Sequence, residues 1–182
     1  MNTKNRPLGA IVLVGMMAAG KTTLGSHLAQ AMSRKFVDSD HVVESQQGQN
    51  IPDIFRDHGE DYFRTLEAEA IQHHIGQPVI LSTGGGCITN EHVHRLLVET
   101  QDALIIWLKL SQETLFERLR YDESRPRFAG CDDSERQKRI ADLCAHRDPL
   151  YKSCSDIEIS TDHGDIDKAI AQIYDALQNR ND

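Results

Sequence analysis

The chain has no apolar run long enough to span a membrane, no low-complexity tract and no internal repeat. A membrane span, a disordered chain and a solenoid are thereby set aside. Its 4 cysteines have no C-x-x-C spacing, and its 9 histidines form no H-E-x-x-H or similar pattern. Zinc and dithiol motifs are therefore missing, and free thiols in a reducing cytoplasm are the expected state. Positive charge is also short. A net charge of −8 gives no general affinity for nucleic acid or anionic membrane, whose phosphates reward a basic surface. What is present is a globular composition, 39% hydrophobic and 26% charged over 182 residues. That length is most simply one domain, 1–182, able to bury about 70% of its unfolded surface.

Gly15-Met16-Met17-Ala18-Ala19-Gly20-Lys21-Thr22 is a complete G-x-x-x-x-G-K-[ST] phosphate-binding loop. The apolar segment Ala10–Val14 precedes it as a strand, and Thr23 to Met32 follows as a helix with Leu24, Leu28 and Ala31 on one face. Backbone N–H groups and the helix N-terminus favour a phosphate there. Lys21 reaches its outer oxygens and the Thr22 hydroxyl can ligate Mg²⁺. Lys4 and Arg6 ahead of Leu8–Ala19 imitate a secretory signal, but cleavage near Ala18 or Ala19 would destroy the loop. The same run is explained as the buried first strand of a parallel sheet.

Further strands are expected at Lys35-Phe36-Val37, Pro78–Leu81, Ala103–Leu108 and Ile157–Ser160. Helices are expected over His41–Gln47, Ile51–Asp57, a longer stretch through Phe63 and Ile71, Asn90–Glu99, a segment opened by Ser111, Ser134–Ala145 and Asp165–Leu177. Tyr121–Ser134 is polar and aperiodic, and is expected to be a mobile lid. Alternating strands and helices define an α/β fold, a five-stranded parallel sheet covered on both faces. Ligands in such sheets collect at the carboxyl ends of the strands.

Three segments leave strand ends: the phosphate loop, Asp38-Ser39-Asp40 and Gly84-Gly85-Gly86. If the strand pattern persists, Asp38 and Asp40 both face the sheet's mouth, one near a metal and one near an acceptor hydroxyl. An Asx turn would explain the same residues. The glycines either admit a ligand closely or simply turn the chain. Arg64 and Arg147 suit bidentate capture of a carboxylate, and each alone also suits a surface salt bridge. Arg118, Arg120, Arg125, Arg127, Arg136, Lys138, Arg139 and Arg147 form a basic stretch that a solvated helical face would also explain.

Read in order, the phosphate loop, Asp38-Ser39-Asp40, Gly59-Glu60 with Phe63-Arg64 and Glu67, Gly84-Gly85-Gly86, Arg125-Pro126, and Arg147 with Pro149-Leu150-Tyr151 resemble the shikimate kinase family. The resemblance runs from about residue 9 to 177. It implies a P-loop kinase that phosphorylates the 3-hydroxyl of shikimate with ATP and Mg²⁺, in the cytoplasm and as a monomer. Gly15 to Thr23, Arg118 and Arg125 would hold ATP, with Arg118 against adenine and Arg125 at the transferring phosphate. Thr22 and Asp38 would hold the metal. Lys21, Asp40 and Arg125 would be catalytic, with Asp40 as base. Arg64, Arg147, Asp40 and the glycines Gly84, Gly85 and Gly86 would bind shikimate.

The chain departs from the family's pattern at Ala18, Cys87, Arg127-Phe128 and His146. The methyl of Ala18 is expected to tighten the loop, and Arg127 adds a cation beside Arg125. The alternatives are a P-loop kinase for another small hydroxylated acid such as gluconate, and a non-catalytic regulatory module that binds the same ligands. The first should not need the combination of Phe63-Arg64, three glycines and Arg147. The second would be free to lose Lys21, Asp38, Asp40 and Arg125.

Overall fold

The computed structural model describes residues 8–121, 128 and 130–181. Its elements in chain order are β1 (Ile11–Val14), α1 (Lys21–Ala31), β2 (Lys35–Asp38), α2 (Ser39–Gln47), α3 (Ile51–His58), α4 (Glu60–His74) and β3 (Val79–Ser82). After a 3₁₀ turn at Cys87–Thr89 come α5 (Glu91–Glu99), β4 (Leu104–Lys109), α6 (Gln112–Leu119), α7 (Asp133–Cys154), β5 (Ile157–Ser160) and α8 (Ile166–Asn181). The strands form one parallel sheet in the order β2-β3-β1-β4-β5. This is the α/β architecture the alternation implies.

The middle strand is β1, and all four of its residues are fully buried. An apolar run without alternation is what a parallel strand covered on both faces requires. Asp38 pairs with Ser82, and Ser82 in turn with Leu13. The three adjacent strands therefore end at one level. Their following loops, far apart in sequence, emerge side by side.

Local signals set most helix starts. Asn90 caps α5 by accepting from His92 N and Val93 N, Ser111 caps α6 through Thr114 N, and Asn50 caps α3 through Asp53 N. Gly59, at φ 87°, separates α3 from α4. A small second core of Val43, Ile54, Phe63 and Ala70 joins α2, α3 and α4 beside the sheet's mouth.

Two expectations are corrected. The strand does not continue through Asp38-Ser39-Asp40: β2 stops at Asp38, which caps α2 by accepting from Asp40 N. The helix expected to end at Ala145 continues to Cys154, through Pro149. Its buried stripe is Arg136, Ile140, Cys144, Arg147, Tyr151 and Cys154. Two arginines on that face hide the apolar period on which a helix reading depends. Of the expected lid, residues 122–127 and 129 lie outside the described residues, and Asp133 and Ser134 already belong to α7.

Candidate active site

The loop after β1 wraps an open helix N-terminus. Gly15 has φ 142°, and a Cβ there would overlap the Leu108 carbonyl of β4. Gly20, at φ 85°, precedes α1, whose first turn holds no acidic residue and no side-chain cap. Its amides are thus available to an anion, reinforced by the helix dipole. Ala18 also takes the left-handed conformation, at φ 59°, which an alanine adopts at a cost of about 1–2 kcal/mol. The methyl packs against the main core, and the left-handed backbone adds strain at this position.

Lys21 is buried, and its Nζ donates to the carbonyls of Gly15 and Met16, each at 2.8 Å. The ammonium thus braces the loop it belongs to. Thr22 Oγ1 donates to Asp38 Oδ2 at 3.2 Å, while Asp38 Oδ1 accepts from Asp40 N at 3.1 Å. The Asx turn and the metal-type oxygen pair are therefore one arrangement, with one carboxylate oxygen serving each. Asp40 comes to the mouth on the first turn of α2.

The three glycines have three different neighbours. A Cβ on Gly84 would overlap Glu67 Oε1 and stand 2.7 Å from Asp40 Oδ1; one on Gly85 would stand 3.0 Å from Met17 N of the phosphate loop; one on Gly86 would overlap the Arg64 guanidinium. None of the three takes a positive φ among the described residues. The chain does turn here, with Cys87 N donating to the Gly84 carbonyl at 3.1 Å, but no positive φ calls for glycine; the close approach of neighbouring groups does. Ser39 Oγ accepts from Gly84 N at 3.0 Å, which fixes the tripeptide against α2.

Asp40 Oδ1 and Glu67 Oε1 are buried without a hydrogen-bond partner. Burial, and next the charge of Asp38, push the Asp40 carboxyl up to about 6, against the pull of Lys21 and Arg64. Burial likewise pushes Glu67 up to about 7, although Arg64 pulls it down. Arg64 donates to Glu67 Oε2 at 2.5 Å and to Glu60 Oε1 at 2.9 Å.

Arg147 reaches the same glycines from α7. Its Nη1 donates to the Gly85 carbonyl at 3.1 Å, while its Nε is buried without a partner. No carboxylate among the described residues pairs with it. Arg64, from α4, and Arg147, from α7, therefore stand against adjacent glycines, Gly86 and Gly85, one flanked by carboxylates and the other not paired with any among the described residues.

Arg118 spans the far end of the loop, donating to Ala18 O at 2.8 Å and Thr161 O at 2.6 Å. Beside it lies a cavity of about 170 Å³ lined by Gly20, Thr23, Leu24, Thr161, Asp165 and Ile166, among others. The basic stretch is thus not one solvated face. Arg118, Arg136 and Arg147 each hold backbone carbonyls, while Arg120 pairs with Asp133. Arg125 and Arg127 lie outside the described residues. Phe128 is buried under Arg136, whose guanidinium stands 5.6 Å over its ring.

Sequence reading gave no role to Ser39, Glu67, Tyr151 or the wall from Thr161 to Ala169. The spacing of Glu67, three residues after Arg64, is a helical pair that could have been read. Nothing in the order of residues places Thr161 beside Gly20.

A parallel sheet with a phosphate loop after its central strand, and carboxylates and arginines gathered at the adjoining strand ends, has the form of a P-loop kinase. The shikimate kinase family pattern matches residues 17–178. The shikimate kinase of Bordetella avium (strain 197N) is 40% identical over 169 residues, covering 92% of this chain and 78% of that protein. That of Symbiobacterium thermophilum is 36% identical over 173 residues, covering 93% and 97%. The solved shikimate kinase from Acinetobacter baumannii in complex with shikimate superposes with a TM-score of 0.84 at 34% identity, covering 95% of this chain and 94% of that one. The chain belongs to the shikimate kinase family.

Proposed function

We propose that this protein transfers the γ-phosphoryl group of ATP to the 3-hydroxyl of shikimate, releasing ADP and shikimate 3-phosphate in aromatic amino-acid biosynthesis. The observation that carries the reading is the placement of Arg64 and Arg147 against the adjacent glycines Gly86 and Gly85, beside Asp40 and against the phosphate loop. Two planar cations suit one planar carboxylate. A hydroxyl of the same small acid then falls next to a carboxylate base.

ATP is the co-substrate of this kinase family. Its phosphates are assigned to the loop from Gly15 to Thr23, with Lys21 leaving the loop carbonyls for the outer oxygens, and its base to the cavity beside Arg118. Thr22 Oγ1 and Asp38 Oδ2 are hard oxygen donors, and they fit Mg²⁺ held by Thr22 directly and by Asp38 through water. The bound ion would neutralise charge on the β- and γ-phosphates. Asp40 takes the proton of the 3-hydroxyl as that oxygen bonds to the γ-phosphorus and the bond to the ADP oxygen breaks. A carboxyl held near 6 is a stronger base than an ordinary one, yet is ionised at neutral pH. Arg125 completes the set as the cation for the transferring group. These groups come from one chain, which supports a monomer as the working unit, and use of ATP together with four free cysteines supports a cytoplasmic location.

A coupled ADP-release assay across shikimate, quinate, gluconate and an aminated shikimate analogue tests the reading. Turnover is expected with shikimate and not with gluconate. Preference for gluconate would reassign the substrate, and binding of both ligands without ADP release would make the protein a regulatory module.

A further inference from the structure

Two donors on α7 share one acceptor. Tyr151 Oη donates to the Gly85 carbonyl at 2.6 Å, and Arg147 Nη1 donates to the same oxygen at 3.1 Å. The two residues are four apart on a helix, so both side chains leave one face. Both are buried, Tyr151 completely. A carbonyl oxygen has two lone pairs, and here both are taken.

The tyrosine is held rigidly. Its ring stacks on Trp107 of β4, with centroids 5.9 Å apart and planes at 29°. Lys109 Nζ stands 4.9 Å from the centroid of the Trp107 ring and pairs with Glu158. Burial raises the pKa of the Tyr151 hydroxyl, so it keeps its proton and remains a donor. Arg147 is the opposite case: a buried guanidinium with an unpartnered Nε and no carboxylate beside it among the described residues. Such a group turns toward any free acceptor within reach. If the second lone pair of Gly85 were open, the guanidinium could settle on that carbonyl with two N–H groups and leave the cleft.

We propose that Tyr151 is a positioning residue for substrate recognition: by occupying one lone pair of the Gly85 carbonyl from a fixed ring, it keeps the Arg147 guanidinium presented to the acceptor's carboxylate. This rests on the reading of Arg147 as a carboxylate-binding group. Tyr151 itself touches no reacting atom.

Tyr151→Phe keeps the ring and removes the hydroxyl. Calorimetric titration with shikimate and with its neutral carboxamide should give a shikimate Kd raised about 5- to 10-fold, the worth of one such hydrogen bond. Preference for the acid over the amide should shrink, and ATP affinity should stay within about twofold of wild type. In an Arg147→Ala background the same substitution should add nothing further. A lowered Tm with unchanged Kd and unchanged acid preference would make Tyr151 merely structural and overturn the proposal, as would full additivity with Arg147→Ala. Should Tyr151→Phe fail to fold, Trp107→Leu loosens the ring without touching the hydroxyl. A weakened acid preference there supports the proposal, and an intact one overturns it. Absence of acid preference in the wild-type protein would instead sink the carboxylate reading, and this proposal with it.

Discussion

Asp40 and Glu67 converge on a single α-carbon. One oxygen of each carboxyl group is buried without a partner, and both face the position that a Cβ on Gly84 would fill. Two acids come that close only because residue 84 has no side chain, and the charge of Asp40 adds to burial in raising the pKa of Glu67.

The first prediction concerns pH. Asp40 must be ionised to accept a proton, so kcat/KM should fall as pH drops below about 6. Stability should move the other way. The Asp40 pKa is 3.8 ordinarily and about 6 when folded, so between these values the folded state binds more protons than the unfolded one. Stability contributed by this group is therefore greatest below pH 3.8 and is lost as pH rises toward about 6. Asp40→Asn should raise Tm at pH 8 by about 2 °C or more, a gap that narrows in acid, while kcat falls about 100-fold or more. Thermal melts and pH–rate profiles check both signs.

The phosphate loop offers a second test. Ala18→Gly should relieve the left-handed strain at φ 59°, offset in part by the greater unfolded-state entropy of glycine. A net gain of about 0.5–1 kcal/mol, or roughly 1–4 °C in Tm, is expected. A drop in Tm would mean that the loop tolerates alanine without strain.

Each glycine of the triple should fail in its own way. Gly85→Ala presses on Met17 N and should raise the KM for ATP; Gly86→Ala displaces the Arg64 guanidinium and should raise the Kd for shikimate; Gly84→Ala forces Asp40 and Glu67 apart and should depress kcat. Identical profiles for the three variants, measured with each substrate varied separately, would refute this division.

The two arginines should not be equivalent. Arg147→Ala removes a cation with no acidic partner among the described residues, so shikimate affinity should fall by the loss of a buried charge pair, on the order of 2–5 kcal/mol. Tm should change little. Arg64→Ala should also weaken binding, but it leaves Glu67, 1% exposed, without its counterion, and Tm should fall as well. Equal Tm values for the two variants would argue against this asymmetry.

Lys21→Ala should likewise cost both activity and stability, since Nζ holds two loop carbonyls. A decrease in kcat of about 100-fold or more is expected from loss of the phosphate contact. A modest drop in Tm should come from the freed carbonyls. Retained turnover in a folded variant would move the phosphate contact elsewhere.

Local order in the chain determined what local physics controls. The glycines and lysine of the phosphate loop, the apolar run of β1, and the caps at Asn90 and Ser111 act within a few residues of themselves. A reader of the sequence can place them before any contact is known. Strand count followed from the same periodicities, and hence so did the parallel α/β class. Tertiary structure decided what depends on groups far apart in sequence. Strand order β2-β3-β1 set the phosphate loop, Asp40 and Gly84 side by side. The burial of Arg136 and Arg147 on α7 extended a helix whose polar stripe gave no apolar period. Asp38-Ser39-Asp40 shows the boundary between the two. A D-x-D pattern fits a strand end and an Asx turn equally well. Packing of α2 against the sheet chose the turn, because there one oxygen of Asp38 caps the helix while the other faces Thr22. Why residues 84–86 must all be glycine was equally invisible. The carboxylates, the loop amide and the guanidinium that crowd them arrive from Asp40, Met17, Arg64 and Glu67, and only the folded chain brings those together.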